Sequence, residues 1–537
     1  MADLRRLLEG RWTGPMVLAL LHLILAAVSY HPSPFSGGDD AAYLSLARSL
    51  IERHDYTDIW DPALPAHTQY PPIFPVVVAI GELLELDPAV GMKYMMILIS
   101  TGAVFASCVW LRRVTTPGVA FLAGLFIATS PEVLTLGQEV LSDPLFWLFS
   151  MLALIAWRNT VLDREGRESA ARIDIKSIVI ATAATLAAYF TRSAGAPLLL
   201  AVVIWLGLRK QYRAIAIVAA LSAPLILAWW WRGHIHGGDG YLAPFIAVDP
   251  YNPARGTVSA GDLLERIAKN AISYSSEHLS RLVFGTPRTG VGFGAAFAIA
   301  MIYGWARRLR KPILADIWLP LYLTLVILWP ETWSGARFLF PVIPLLALYV
   351  GETISYLAKA ASHPKIFAAA LFLAGLVTVG PSLKKQARIG RLCRQQYAMG
   401  ADFPCTHPFF HDFFSTADRA RGRLPEGSVV ISRKPTIFFL YSGYRSVLYP
   451  LTNVPDSLFN LAKRVGAQYV VVDQIGDLAP LYLHPVMLAR RDDFCVIPEL
   501  STPNAAMAKI DPGGPRQAPG TPENSFRSCG LGNVAGR

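Results

Sequence analysis

Tyr70-Pro71-Pro72-Ile73-Phe74-Pro75-Val76-Val77-Val78-Ala79-Ile80-Gly81-Glu82-Leu83-Leu84-Glu85 is the stretch whose reading decides the fold. It is apolar enough to suggest a membrane crossing, but a spanning helix takes about 20 apolar residues, and two glutamates close this one. Charge parity decides between crossing and not crossing. If the run from 72 to 86 does not cross, Arg112-Arg113, Arg158 to Lys176, Arg209-Lys210-Arg213, Arg307 to Lys311 and Lys359 to Lys365 all fall inside. If it crosses, all of them fall outside, against the excess of Lys and Arg that marks cytoplasmic loops. The run therefore reads as an interfacial or re-entrant helix on the outer face.

The rest of the chain fits a polytopic α-helical membrane protein. Of 537 residues, 53% are hydrophobic and 16% charged, where soluble chains carry about 25% charged residues. The net charge of +11 belongs to the loops between apolar segments, and no zinc-finger spacing, P-loop or solenoid repeat points to nucleic acid or nucleotide. Arg5, Arg6 and Arg11 precede an apolar run from Pro15 to about Tyr30 with no small-residue cleavage site after it; this reads as an uncleaved first helix with a cytoplasmic N-terminus. Further spans are expected at 94–111, 117–131, 143–158, 176–191, 196–209, 213–231, 291–306, 313–330, 338–357 and 365–381, about eleven in all. The outer loops are then 31–93, 131–142, the turn at Arg192, 232–290 and 330–337.

Residues 1–381 form this membrane module, and 382–500 differ in kind. Ser428–Ser432, Ser446–Tyr449 and Tyr469–Asp473 read as buried strands, with helices near 409–421, 455–465 and 480–491. That pattern predicts an extracytoplasmic α/β domain with a mainly parallel sheet. The Pro/Gly-rich residues 501–537 read as a disordered tail. Cys393, Cys405, Cys495 and Cys529 all fall in the external part, where two disulfides in any of three pairings are possible. The short loop favours a Cys393–Cys405 bridge.

The outer loops hold the residues capable of chemistry. Ser36-Gly37-Gly38-Asp39-Asp40-Ala41-Ala42-Tyr43 places two carboxylates behind two glycines beside the bilayer. Glycines allow a sharp turn and close approach of a ligand, and a carboxylate there can act as a general base. The plain alternative is that the pair caps the helix starting near Ala41.

Four further motifs accompany this acidic pair: the Pro71-Pro72 segment, Gln138-Glu139-Val140-Leu141-Ser142-Asp143-Pro144, Thr191-Arg192-Ser193-Ala194-Gly195, and Ala336-Arg337-Phe338-Leu339-Phe340-Pro341. In this order, and all on the outer face, they resemble the GT-C glycosyltransferases of the protein O-mannosyltransferase and lipid A aminoarabinose transferase type. The likeness covers roughly residues 10 to 385, and the C-terminal part resembles domains appended to bacterial members. It implies a bacterial cytoplasmic membrane enzyme that moves a sugar from a polyprenyl phosphate to a hydroxyl of an envelope glycan, lipid or protein, usually with inversion.

On that resemblance Asp39 is the general base and Asp40 orients the acceptor or Asp39, the repulsion between them raising one pKa. The acidic residue of the second outer loop maps onto Asp143, with Glu139 as the fallback. An N-cap ahead of Pro144 is compatible with that role for Asp143. Arg337 is the first candidate for the donor phosphate, because its planar fork suits that group. Arg192, Arg48 and Lys93 follow, and snorkelling to the interface is the alternative for the arginines. Tyr43, Tyr70, Pro71 and Pro72 are expected to line the substrate cleft.

Tyr70 stands where the aminoarabinose transferases carry a lysine, and Ala42 where they carry an arginine; both changes remove cations and argue against aminoarabinose as the substrate. His234 and His236 could ligate a divalent metal, though polar loop residues is the simpler reading, and no metal site is assigned. Ser432-Arg433-Lys434-Pro435 could bind an anionic glycan or simply end a strand in solvent. A lipid-linked sugar transporter would also have about eleven spans, but it should carry ionisable residues near mid-membrane. A non-catalytic carrier-binding protein is the remaining alternative.

Overall fold

The computed structural model describes residues 12–161, 174–238, 241–285, 290–361, 364–515 and 526–530. Arg5, Arg6 and Arg11 lie outside the described residues, as do parts of the 158–176 basic cluster and of the tail. Every segment expected to span is helical. In order these are α1 (Thr13–Ser29), then, after the shorter helices α2 (Asp39–Arg48) and α3 (Ile73–Leu83), α4 (Gly91–Val114), α5 (Pro117–Thr129), α6 (Ser142–Val161) and α7 (Ile175–Thr191). They continue with α8 (Ala196–Leu208), α9 (Tyr212–Ile235), α10 (Gly290–Arg308), α11 (Leu314–Leu328), α12 (Ile343–Ala360) and α13 (Pro364–Ala398). Among the described residues, Gly91–Val114, Tyr212–Ile235 and Ala336–Ala360 are long and apolar enough to cross a membrane.

Helix α3 has 11 residues. At 1.5 Å per residue it is about 16 Å long, roughly half the hydrocarbon thickness. Its buried face, Phe74, Val78 and Ala79, packs on Tyr43, Leu44 and Ala47 of α2, while Val76, Ile80 and Leu83 are exposed. One apolar face is thus buried in the protein and the other left outward, as an interfacial helix requires.

The bundle core gathers Trp110, Trp147, Trp157, Trp318 and Tyr349, all fully buried. Buried indoles need partners: Trp147 Nε1 donates to Ser107 Oγ at 3.0 Å, and Trp157 Nε1 to Thr185 Oγ1 at 2.9 Å. Helix α9 is different, with Trp230 and Trp231 largely exposed near its C-terminal end, as an interfacial aromatic belt would be.

Helix α13 runs unbroken for 35 residues, past residue 381 where the last span was expected to end. Beyond it lies a six-stranded sheet of order β2-β1-β3-β5-β4-β6, with β1 Val429–Ile431, β2 Arg445–Val447, β3 Ala467–Asp473, β4 Phe494–Val496, β5 Ala505–Ile510 and β6 Arg527–Ser528. β1 pairs in parallel with β2 and β3, but β5 runs antiparallel to both β3 and β4. β4 pairs in parallel with β6, so three of the five pairings are parallel, as expected, and β5 is the strand that makes the sheet mixed. The expectation of a disordered tail from 501 is corrected: Ala505 to Ile510 form a strand between β3 and β4, with Ala505, Met507 and Ala508 fully buried. Ala505 and Met507 fill the core on one face and Ala508 and Ile510 that on the other, while the strand's backbone completes the ladder. Cys393 bonds Cys405 and Cys495 bonds Cys529, the second bridge tying the β6 segment to β4.

The sheet portion seats directly on the acidic loop. Helix α14 (Pro435–Ser442) follows β1, and its Ile437 and Phe438 share a core with Ala41. Lys434 Nζ donates to the Gly37 carbonyl at 2.7 Å, Thr436 Oγ1 to the Gly38 carbonyl at 3.3 Å, and Ser446 N to the Trp60 carbonyl at 2.7 Å.

Candidate active site

Gly38, with φ +95°, is the N-cap of α2 and occupies the left-handed region where a side chain is strained. It turns the chain so that Asp39 and Asp40 form the first helical turn, the end at which the helix dipole favours anions. Neither carboxylate is the cap, so the plain capping alternative does not hold.

Asp39 is gripped from two sides. Arg337 Nη2 donates to its Oδ2 at 2.7 Å, and the Tyr70 hydroxyl donates to its Oδ1 at 3.2 Å. Arg337 Nη2 also lies 3.7 Å from Asp143 Oδ2, and Arg192 Nη1 pairs with that oxygen at 2.7 Å. Two acids and two arginines from four separate segments thus form one cluster. Asp143 sits in the first turn of α6, behind Asp39, and is nearly sealed from solvent. Tyr43 joins from α2: its hydroxyl is 2.8 Å from Ser142 Oγ, and its ring packs on Tyr70 with centroids 4.9 Å apart.

Burial by itself would raise the Asp39 carboxyl, but the Arg337 and Arg192 guanidiniums outweigh it and hold Asp39 below the usual carboxylate range. Asp40 has no such partner. Burial pushes it up to about 7, and its Oδ1 has no hydrogen-bond partner among the described residues. The two neighbouring acids are therefore driven apart, one held as an anion by its arginines and the other raised by burial.

The remaining candidates scatter. Glu139 pairs with Lys93 at 2.9 Å, both sealed from solvent, and Lys93 also donates to the Ser33 carbonyl at 2.6 Å. Arg48 pairs with Glu82 at 3.4 Å. Neither cation lines the cleft around Asp39. Pro71 and Pro72 open α3 and bring Tyr70 to the site without lining the cleft themselves. His234 stacks on Trp230 with ring centroids 5.8 Å apart. Among the described residues no three His, Cys, Asp or Glu side chains gather as metal ligands. Asp39 and Asp143 are paired with Arg337 and Arg192 instead.

An open cleft of about 390 Å³ lies over Asp39, lined by Gly37, Gly38, Asp58, Trp60, His67, Tyr70, Arg433 and Lys434 among others. His67 is set by Asp58, whose Oδ1 is 2.6 Å from Nδ1, and its Nε2 accepts the Tyr70 N–H at 2.7 Å. Trp60, His67 and the Arg433-Lys434 pair were not read from the sequence as parts of this site. The basic pair was noted, but nothing local tells that it folds over residues nearly 400 positions earlier.

This architecture, a helical bundle with an acidic loop facing arginines and a small sheet on top, is the GT-C fold shared with the solved structures that follow. No family model matches the sequence, and no curated protein matches it. The fold is similar to solved structures of ArnT from Cupriavidus metallidurans bound to undecaprenyl phosphate, at 15% identity and TM-score 0.53 over 94% of this chain and 99% of that one. It is also similar to the archaeal oligosaccharyltransferase AglB from Archaeoglobus fulgidus in complex with an inhibitory peptide and a dolichol-phosphate, at 13% identity and TM-score 0.56 over 93% of this chain and 74% of that one. The same oligosaccharyltransferase tethered with an acceptor peptide containing the NVT sequon matches at 12% identity and TM-score 0.54, over 91% of this chain and 73% of that one.

Proposed function

We propose that this protein is a membrane glycosyltransferase that moves a sugar from a polyprenyl phosphate to an acceptor hydroxyl at the outer face of a bacterial cytoplasmic membrane, with Asp39 as general base. The observation that carries the reading is the Asp39–Arg337–Asp143–Arg192 cluster, whose Asp39 lines an open cleft. A transfer from a lipid phosphate needs a base for the incoming hydroxyl and fixed cations for the departing phosphate, and both stand side by side here. That the structural neighbours carry undecaprenyl phosphate and dolichol-phosphate supports a lipid-linked donor.

The acceptor oxygen bonds to the anomeric carbon as the bond from that carbon to the phosphate oxygen breaks. The hydroxyl proton goes to Asp39, and the electron pair leaves on the polyprenyl phosphate, whose charge Arg337 and Arg192 neutralise. A single displacement of this kind inverts the anomeric centre. Arg337 is shared between Asp39 and Asp143, so an arriving phosphate competes for it. As the guanidinium turns to phosphate, Asp39 loses its strongest charge partner and becomes the stronger base. Tyr70 keeps the carboxylate aimed during that exchange.

Residues 1–381 then form the transferase module and 382–500 an extracytoplasmic domain that roofs it. The test is Asp39→Asn in purified protein, assayed for transfer of label from a radiolabelled polyprenyl-phosphate sugar in membranes containing native acceptors. Label moved by wild type and lost in a folded variant supports the reading. Normal transfer by Asp39→Asn places the base elsewhere, and a wild type that moves the lipid across the bilayer without transfer sinks the enzyme assignment.

A further inference from the structure

The cleft over Asp39 has a second cationic wall that the transfer chemistry above does not use. Arg433 and Lys434 line it, whereas Arg337 and Arg192 do not. Both residues follow β1, whose neighbours β2 and β3 run parallel to it on either side. From β1 the chain passes through α14 to β2 on one flank and later returns to β3 on the other, so its direction of winding switches at β1. In open parallel sheets, ligands bind in the crevice outside the carboxyl ends of the strands at such a point. Here that crevice opens onto Asp39.

Arg433 Nη1 is buried and has no hydrogen-bond partner among the described residues, a costly state for a guanidinium unless a ligand completes it. Gly476, just past the end of β3, holds it closely: a Cβ there would lie 3.1 Å from Nη1. Lys434 Nζ spends one donor on the Gly37 carbonyl and keeps two. The facing acids are engaged or weakened. Asp39 is held by Arg337, Asp58 lies against His67, and burial pushes Asp473 up to about 6.

We infer that Arg433 and Lys434 form an anion subsite for the acceptor, which therefore carries a phosphate or carboxylate near the hydroxyl presented to Asp39. In an inverting displacement the acceptor and the leaving phosphate occupy opposite sides of the anomeric carbon, so one cation set cannot serve both. Arg337 and Arg192 are paired with Asp39 and Asp143 and do not line the cleft, whereas Arg433 and Lys434 do. Describing the anion as part of an acceptor rests on the transferase reading; the subsite itself does not.

The test measures equilibrium binding of radiolabelled inorganic phosphate to the full-length protein in lipid nanodiscs, with undecaprenyl phosphate at saturation to occupy the donor site. The expected result is phosphate binding by wild type that weakens at least tenfold in Arg433→Gln, persists in Lys434→Arg, and is accompanied by unchanged undecaprenyl phosphate affinity in Arg433→Gln. Thermal unfolding verifies that each variant is folded, and if Arg433→Gln is not, Arg433→Lys takes its place with a smaller loss expected. Wild-type affinity for phosphate in the folded variant, or no phosphate binding to carrier-saturated wild type, overturns the subsite. Equal loss of phosphate and undecaprenyl phosphate assigns these cations to the carrier and overturns the acceptor role. If wild type does not bind undecaprenyl phosphate, the transferase reading fails, and the Arg433 dependence of phosphate binding alone decides the subsite.

Discussion

Two acid–cation pairs in this molecule differ in what surrounds them. Asp39–Arg337 is partly open, with side chains 28% and 23% exposed, and shares its arginine with Asp143. Glu139–Lys93 is closed, at 5% and 3%, with the ammonium further tied to the Ser33 carbonyl. An open, shared pair can exchange partners with a ligand, whereas a sealed pair can only hold loops together. The sequence offered both as candidate chemistry, and burial separates them.

The sharpest way to break this comparison is at Asp39. Asp39→Asn is expected to lower turnover by about 10³-fold, within the range for a lost general base, while shifting the thermal unfolding midpoint little. At the closed pair the order reverses. Lys93→Met strands a buried carboxylate and should cost about 3–5 kcal/mol of stability. The double variant Lys93→Met/Glu139→Leu should recover much of it, and both effects are read by thermal unfolding in detergent. If Lys93→Met is as stable as wild type but inactive, the sealed pair is functional and the contrast fails.

Asp40 sharpens the comparison through pH. Its folded pKa is raised by burial, with Glu139 adding and Lys93 opposing, so the folded state holds its proton more tightly than the unfolded one. The stability it contributes is present below about pH 4 and is lost as pH rises to about 7, by roughly 1.4 kcal/mol for each unit. Asp40→Asn should therefore gain stability relative to wild type between those values and run parallel to it above. A difference that stays flat from pH 4 to 7 would show that Asp40 is ionised throughout. Tyr70→Phe is expected to have the smallest effect. Removing one hydrogen bond to Asp39 is worth about 1 kcal/mol, or roughly fivefold in turnover with donor affinity unchanged.

Much of the membrane part was legible because hydropathy and helical length are local signals. The segments at 94–111 and 213–231, for instance, emerged as helices within a few residues of their ends. Asp39, Asp143, Arg192 and Arg337 were legible only as candidates in outer loops; that they meet depends on contacts between residues as far as 298 positions apart. The sheet was half legible. Val429–Ile431 and Tyr469–Asp473 carry β-branched runs, whereas Ala-Ala-Met-Ala-Lys-Ile at 505–510 has weak strand propensity and gains its place by pairing on both sides. Arg433-Lys434 looked like a strand end because the helix that lowers it onto Gly37 lies just beyond it.

The unbroken helix α13 has one more consequence. At 35 residues it is about 52 Å long, and Arg394 near its end donates to the carbonyls of Val28 and Tyr30, at the C-terminal end of α1. It acts as a gauge rod between bundle and sheet, fixing the height of the roof above Asp39. A roof on a flexible tether would accept substrates of many lengths. On a gauge rod, the headroom above Asp39 is set once.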